Sequence, residues 1–121
     1  MGHQHLIEDL TALGHVGRLQ VGDGGTEFVC FDYRVPVGAH AGEVVQVALN
    51  APDWPINPPG GPHVSPRINH PGDNAHHASP LGGGWIYWSR PFPEWAQSPR
   101  TLEEYLAHLR TLFAQFVEAA A

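Results

Sequence analysis

From His3 to Leu13 the apolar residues Leu6, Ile7, Leu10 and Leu13 recur at spacings of three and four, which draws one stripe along a short helix. Gly14 follows where a left-handed cap ends such a helix. Arg18 to Val21, the turn residues Gly22-Asp23-Gly24-Gly25 and Thr26 to Val35 then predict a hairpin. Val29, Phe31, Tyr33 and Val35 alternate onto one face of it, with Phe28 and Cys30 on the other. After a loop from Pro36 to Gly42, Glu43 to Leu49 predicts a third strand in which Val45, Val47 and Leu49 alternate with Val44, Gln46 and Ala48. From Asn50 to Gly84 prolines and glycines come too often for a long helix or strand. Within that stretch His63 to Ile68 predicts a short fourth strand, with Pro66 on an edge or at a bulge. Order returns at the end, where Leu102, Tyr105, Leu106, Leu109, Phe113 and Phe116 form one helical stripe. Ser98-Pro99 and the capping-box pattern Thr101-x-x-Glu104 signal its start.

The expected fold is therefore α+β: an N-terminal helix, a four-stranded antiparallel meander, a long proline- and glycine-rich flap and a C-terminal helix packed on the sheet. Leu106, Leu109 and Phe113 are expected to be buried against that sheet. A chain of 121 residues predicts one domain, 1–121, and 42% hydrophobic against 15% charged residues suits a folded globule. A structureless segment as long as the flap is unusual in so small a domain unless it carries function.

Charge and residue usage narrow the chemistry. The formal net charge is -6, and the six basic residues are all arginines, spread from Arg18 to Arg110, so no basic stripe exists to neutralise phosphates and nucleic acid is not an expected partner. Lysine is absent, which removes Schiff-base chemistry and lysine general bases. The single cysteine, Cys30, makes no intramolecular disulfide, and the start MGHQHLIEDL lacks a charged-then-apolar leader. These features predict a cytoplasmic protein of bacterial type. No apolar run approaches the length of a membrane helix.

An ordered set of short motifs resembles the ubiquitin-conjugating-enzyme fold (UBC-like). It comprises Trp54-Pro55-x-x-Pro58-Pro59, a strand ending at Ile68, Asn69-His70-Pro71, and Trp95 followed by Ser98-Pro99-x-x-Leu102 and an amphipathic helix. Gly84-Trp85-Ile86-Tyr87-Trp88-Ser89-Arg90 is similar to a run before the last helix in small bacterial members of that superfamily. The resemblance implies a helix before the meander, a proline pair before the fourth strand and a His-Pro-Asn motif opening the flap that carries a thioester-forming cysteine. Here Gly72 takes the third place of that motif, Asn74 stands two residues on, and Ser79-Pro80 occupies the cysteine's place. Cys30 lies in mid-strand, where a buried, inert thiol is expected.

The resemblance thus carries over Ser79, His70 and Asn74 as candidate catalytic residues, Ser79 having His76 and His77 beside it in sequence. Each has a plainer role: serine as a turn residue, His70 as a hydrogen-bonded anchor of the flap. His63, His70, His76 and His77 with Asp73 crowd one segment, yet match no metal-ligand spacing, so no metal and no cofactor are expected. His3 and His5 are read as incidental. Among the aromatics, Trp85 and Trp95 are expected to clamp the flap, while Trp88 and Arg90 are expected on a partner-binding surface. The function these residues suggest is a non-catalytic or atypical UBC-like protein, a pseudoenzyme that binds a ubiquitin-like protein or its ThiF-type activating enzyme. The alternative is a small metal- or serine-dependent enzyme using the flap histidines.

Overall fold

The computed structural model describes residues 2–117. Helix α1 spans His3–Ala12 and buries Leu6 and Leu10, while Ile7 is half-buried and Leu13 reaches solvent. Gly14, at φ 86, ends it as expected: its N–H bonds to Thr11 O and that of His15 to Leu10 O, which satisfies two carbonyls the helix leaves open. Among the described residues the sheet has six antiparallel strands, β1 (Arg18–Val21), β2 (Glu27–Arg34), β3 (Val44–Leu49), β4 (His63–Ser65), β5 (His76–Ala78) and β6 (Ile86–Trp88), in the order β1-β2-β3-β4-β6-β5. Helix α2 spans Leu102–Ala114, and the Thr101 hydroxyl accepts the Glu104 N–H at its start.

Two expectations need correction. The sheet has six strands rather than four, because the flap folds into the hairpin β5–β6, and β6 inserts beside β4. Strand β4 stops at Ser65, before Pro66, which has no N–H to give a ladder. On α2, Leu109 and Phe113 are buried as expected, but Leu106 is only half-buried and Leu112 takes a buried place.

Alternation divides the sheet into two sides. Val29, Phe31, Tyr33, Val45, Val47, Leu49, Val64, Ile86 and Trp88 face both helices in one core. The outer side carries a smaller cluster of Phe28, Cys30, Ala48 and Trp85, with Leu81 against it. The proline-rich segment before β4 is held by indoles. Trp54 is fully buried and donates to Asp9 Oδ2 on α1 at 2.8 Å, while Trp95 donates to Pro55 O at 2.9 Å, the two rings 5.3 Å apart. The N-terminal end is tied to the same segment, Gly2 N–H reaching Trp54 O and His3 Nε2 accepting the Ala51 N–H. His3 is thus part of the lock between α1 and this segment.

The entry into β4 passes directly over β6. A Cβ on Gly61 would run into the carbonyl oxygen of Trp88, whereas a Cβ on Gly60 meets nothing nearer than the Tyr87 hydroxyl at 3.9 Å. The two neighbours should therefore respond oppositely to the same change. Gly61→Ala is expected to force β4 from β6 and cost about 4 kcal/mol or more, losing cooperative thermal unfolding, while Gly60→Ala shifts the melting temperature by only a few degrees. Equal melting temperatures for the two variants would contradict this close approach.

Candidate functional site

On the outer side of the sheet, the β1–β2 turn and the β5–β6 loop curl toward each other, and Asp23 N–H donates to Pro80 O at 2.8 Å. Beside this bridge lies an open cavity of about 280 Å³. Phe28, His63 and Tyr87 form its aromatic part, the imidazole centroid 4.7 Å from each of the other two rings. Strand parity explains the grouping. His63 pairs with Tyr87 across β4 and β6, so both side chains emerge on one side, and Phe28 on β2 shares it. Asn50, Thr26 and Gly60 complete the rim.

His63 is the buried polar group of this site. Its Nδ1 lies 2.8 Å from Ser79 Oγ, and Ser79 Oγ accepts the Leu81 N–H at 3.1 Å. The Ser79 hydroxyl has no acceptor other than His63 Nδ1 among the described residues, so the pair is assigned with the serine O–H donating to Nδ1. This assignment from the hydrogen-bond network leaves the imidazole proton on Nε2. Burial lowers the His63 pKa from 6.5 to about 4, so the ring is neutral at physiological pH. A base so weak, with no carboxylate on its second nitrogen, activates a serine poorly. Ser79 is half-buried and does not line the cavity.

The expected catalytic residues do not come together. Ser79 follows β5 and meets His63, not His76 or His77. His70 lies on the helix side, 1% exposed, its Nε2 bonded to Leu112 O and its Nδ1 accepting the Gly72 N–H. Burial above all, with Arg90 and His76 nearby, holds its pKa down, partly offset by the Leu112 carbonyl. It anchors the flap to the end of α2. Asn74 precedes β5, at the other end of that strand from Ser79, in the left-handed conformation asparagine tolerates, and its carbonyl accepts from His77 Nε2 and Ser89 Oγ.

The partner-surface residues also need correction. Trp88, expected on the surface, is fully buried, because β6 alternation turns Ile86 and Trp88 toward the helices and Tyr87 outward. Arg90 is half-buried and donates to the carbonyls of Asp73 and Ser89, clamping the flap turn. Trp85 and Trp95 are buried clamps. Cys30 is buried on the outer side, its thiol directed at Gln20 Oε1 at 3.3 Å. Among the described residues, no three histidine, cysteine, aspartate or glutamate side chains gather as a metal ion requires. In the same residues no helix is long and apolar enough to cross a membrane.

Sequence reasoning passed over the pairing of His63 with Ser79 and the roles of Phe28, Asn50 and Tyr87. The parity that put Phe28 opposite Val29 was one signal for them, but the short strands bearing His63 and Tyr87 gave no period of their own. Comparison with protein-family models, with curated proteins and with solved structures finds no match to this chain.

The buried His63 and His70 and the half-buried His108 set a pH dependence. His63, His70 and His108 all have folded pKa values below the ordinary 6.5, burial being the first cause for each. The unfolded chain therefore binds more protons than the folded one below pH 6.5, and stability is complete above that value and lost as pH falls toward the folded pKa values. His63 alone should account for roughly 3 kcal/mol between pH 6.5 and about 4. Urea unfolding across this range checks it. His63→Gln should flatten the slope, and an unchanged slope would show that His63 titrates normally.

Proposed function

We propose that this domain is a ubiquitin-conjugating-enzyme-like scaffold that binds a ubiquitin-like protein or its ThiF-type activating enzyme and forms no thioester. The observation behind this reading is the state of the one thiol. Cys30 is fully buried, and burial pushes its pKa up, with Arg18 opposing in part. Acyl relay needs an accessible thiolate, which attacks an activated carboxyl terminus and then gives the acyl group up. A helix, a run of antiparallel strands, a flap and a helix support the recognition half of such a role without the transfer half. Arg90 remains a candidate contact, and Leu19 and Val21 on edge strand β1, 53% and 62% exposed, with Val16 before them, supply apolar area.

The test uses a bacterial ubiquitin-like protein and a ThiF-type activating enzyme. Calorimetry should record binding, weakened about tenfold or more by Leu19→Asp and by Arg90→Ala, and an unchanged melting temperature for Leu19→Asp would separate recognition from folding. Incubation with the charged activating enzyme should give no adduct that a reductant removes. Such an adduct, absent in Cys30→Ala, or the lack of binding to either partner, would overturn the proposal.

A second reading, a serine-dependent enzyme, draws on the 2.8 Å contact of Ser79 with His63. The low basicity of His63 and the place of Ser79 outside the cavity lining weigh against it. A fluorophosphonate probe should leave Ser79 unlabelled, and stoichiometric labelling lost in Ser79→Ala would put this reading first.

A further inference from the structure

We infer that the outer cavity is a binding site for a small, uncharged, planar ligand bearing a carboxamide or lactam edge. This site is separate from the protein-partner reading and does not rest on it. Its walls supply flat apolar area chiefly in the half-buried Tyr87, while Phe28, 1% exposed, packs edge-on against the His63 ring and backs it. None of the lining side chains is charged, so an ionic ligand would lose hydration with no counter-charge to replace it. Four polar groups of the lining have no protein partner among the described residues; the Thr26 and Tyr87 hydroxyls can donate or accept, whereas His63 Nε2 and Asn50 Oδ1 have one role each. With the Ser79 O–H assigned as donor to Nδ1, the His63 proton is on Nε2, which has no protein partner although no buried polar atom among the described residues is left unsatisfied, so that N–H meets the open cavity. Asn50 spends its Nδ2 on Glu27 O at 2.9 Å, leaving its Oδ1 free to accept. One donor and one acceptor on the rim of an aromatic cup match the adjacent carbonyl and N–H of a planar amide.

The packing explains why the donor is fixed. A histidine free to rotate or to change tautomer would offer an acceptor as readily as a donor. Here the ring is held between Phe28 and Tyr87, and Ser79 is itself fixed by the Leu81 N–H. The same arrangement gives Ser79 a purpose other than nucleophilic attack: it sets what His63 presents.

Benzamide serves as the probe, titrated into the full chain and followed by two-dimensional nitrogen–proton NMR, including the imidazole nitrogens. Saturable shifts are expected at Gly60, Gly61 and Ala78 and at His63 Nε2, with the millimolar affinity usual for one ring. Benzoate, benzamidine and cyclohexanecarboxamide should each bind at least about tenfold more weakly, the first two for their charge and the third for its shape. Gly60→Leu, whose side chain would start toward the Tyr87 hydroxyl, should abolish the benzamide shifts and leave the rest of the spectrum in place. If that variant does not fold, Ala78→Leu on the exposed strand β5 fills the same cavity from the other wall. No saturable shift, an equal response to benzoate, benzamide binding that survives the filled cavity, or a His63 proton found on Nδ1 would each overturn the assignment.

Discussion

The indole of Trp88 is fully buried, its N–H bonded to Ile68 O at 2.7 Å and its ring 5.1 Å from those of His70 and Phe113 and 5.6 Å from Phe116. This contact joins the strand that ends the flap, the segment after β4 and the face of α2. Removing an indole so enclosed typically costs about 3–5 kcal/mol, a large share of a small domain's stability. The flap has little regular structure of its own to replace it. Around the seated indole its conformation is fixed by a set of single hydrogen bonds: His70 to α2, Arg90 to Asp73 O, and Ser89 N–H to Ala75 O.

From that anchor the two sides of the sheet take different characters. The helix side is closed by α1 and α2, and its one fully enclosed histidine, His70, uses both ring nitrogens to hold backbone. Among the described residues neither α1 nor α2 contributes to the outer side. That side is covered only by the β5–β6 loop and the β1–β2 turn, so His63 keeps one nitrogen for solvent or a ligand. Two histidines within one short segment thus serve opposite ends, His63 because the register of β4 turns it outward and His70 because the loop beyond β4 carries it against Leu112 of α2.

Much of the frame was legible in the sequence because long elements repeat their signal. The α2 helix with its buried Leu102, Tyr105, Leu109 and Phe113, the alternation of β2 and β3 and the cap at Gly14 appear where the pattern puts them. The flap hairpin was not legible, since three-residue strands such as His76–Ala78 and Ile86–Trp88 are too short to show a period. The burial of Trp88 is hidden for the same reason: only the pairing of β6 decides which way its ring turns. The candidate site was half visible: Ser79 and a crowd of histidines stood out, but their pairing depends on long-range strand register, which composition does not carry. His76 and His77 are nearest to Ser79 along the chain, whereas His63 reaches it through β4 and β6.

The bridge from Asp23 to Pro80 ties two turns that belong to opposite halves of the chain. Contacts of that span come at the end of folding, because the entropy of closing so long a loop has to be met before the contact returns anything. By the same reasoning the bridge is among the first to open when the native state fluctuates, since it is one hydrogen bond between exposed turns and carries no buried ring. The outer cavity, already open to solvent, therefore has one border that breathes on a faster timescale than global unfolding. Its width follows that local opening, and the helix-side core stays intact while it happens.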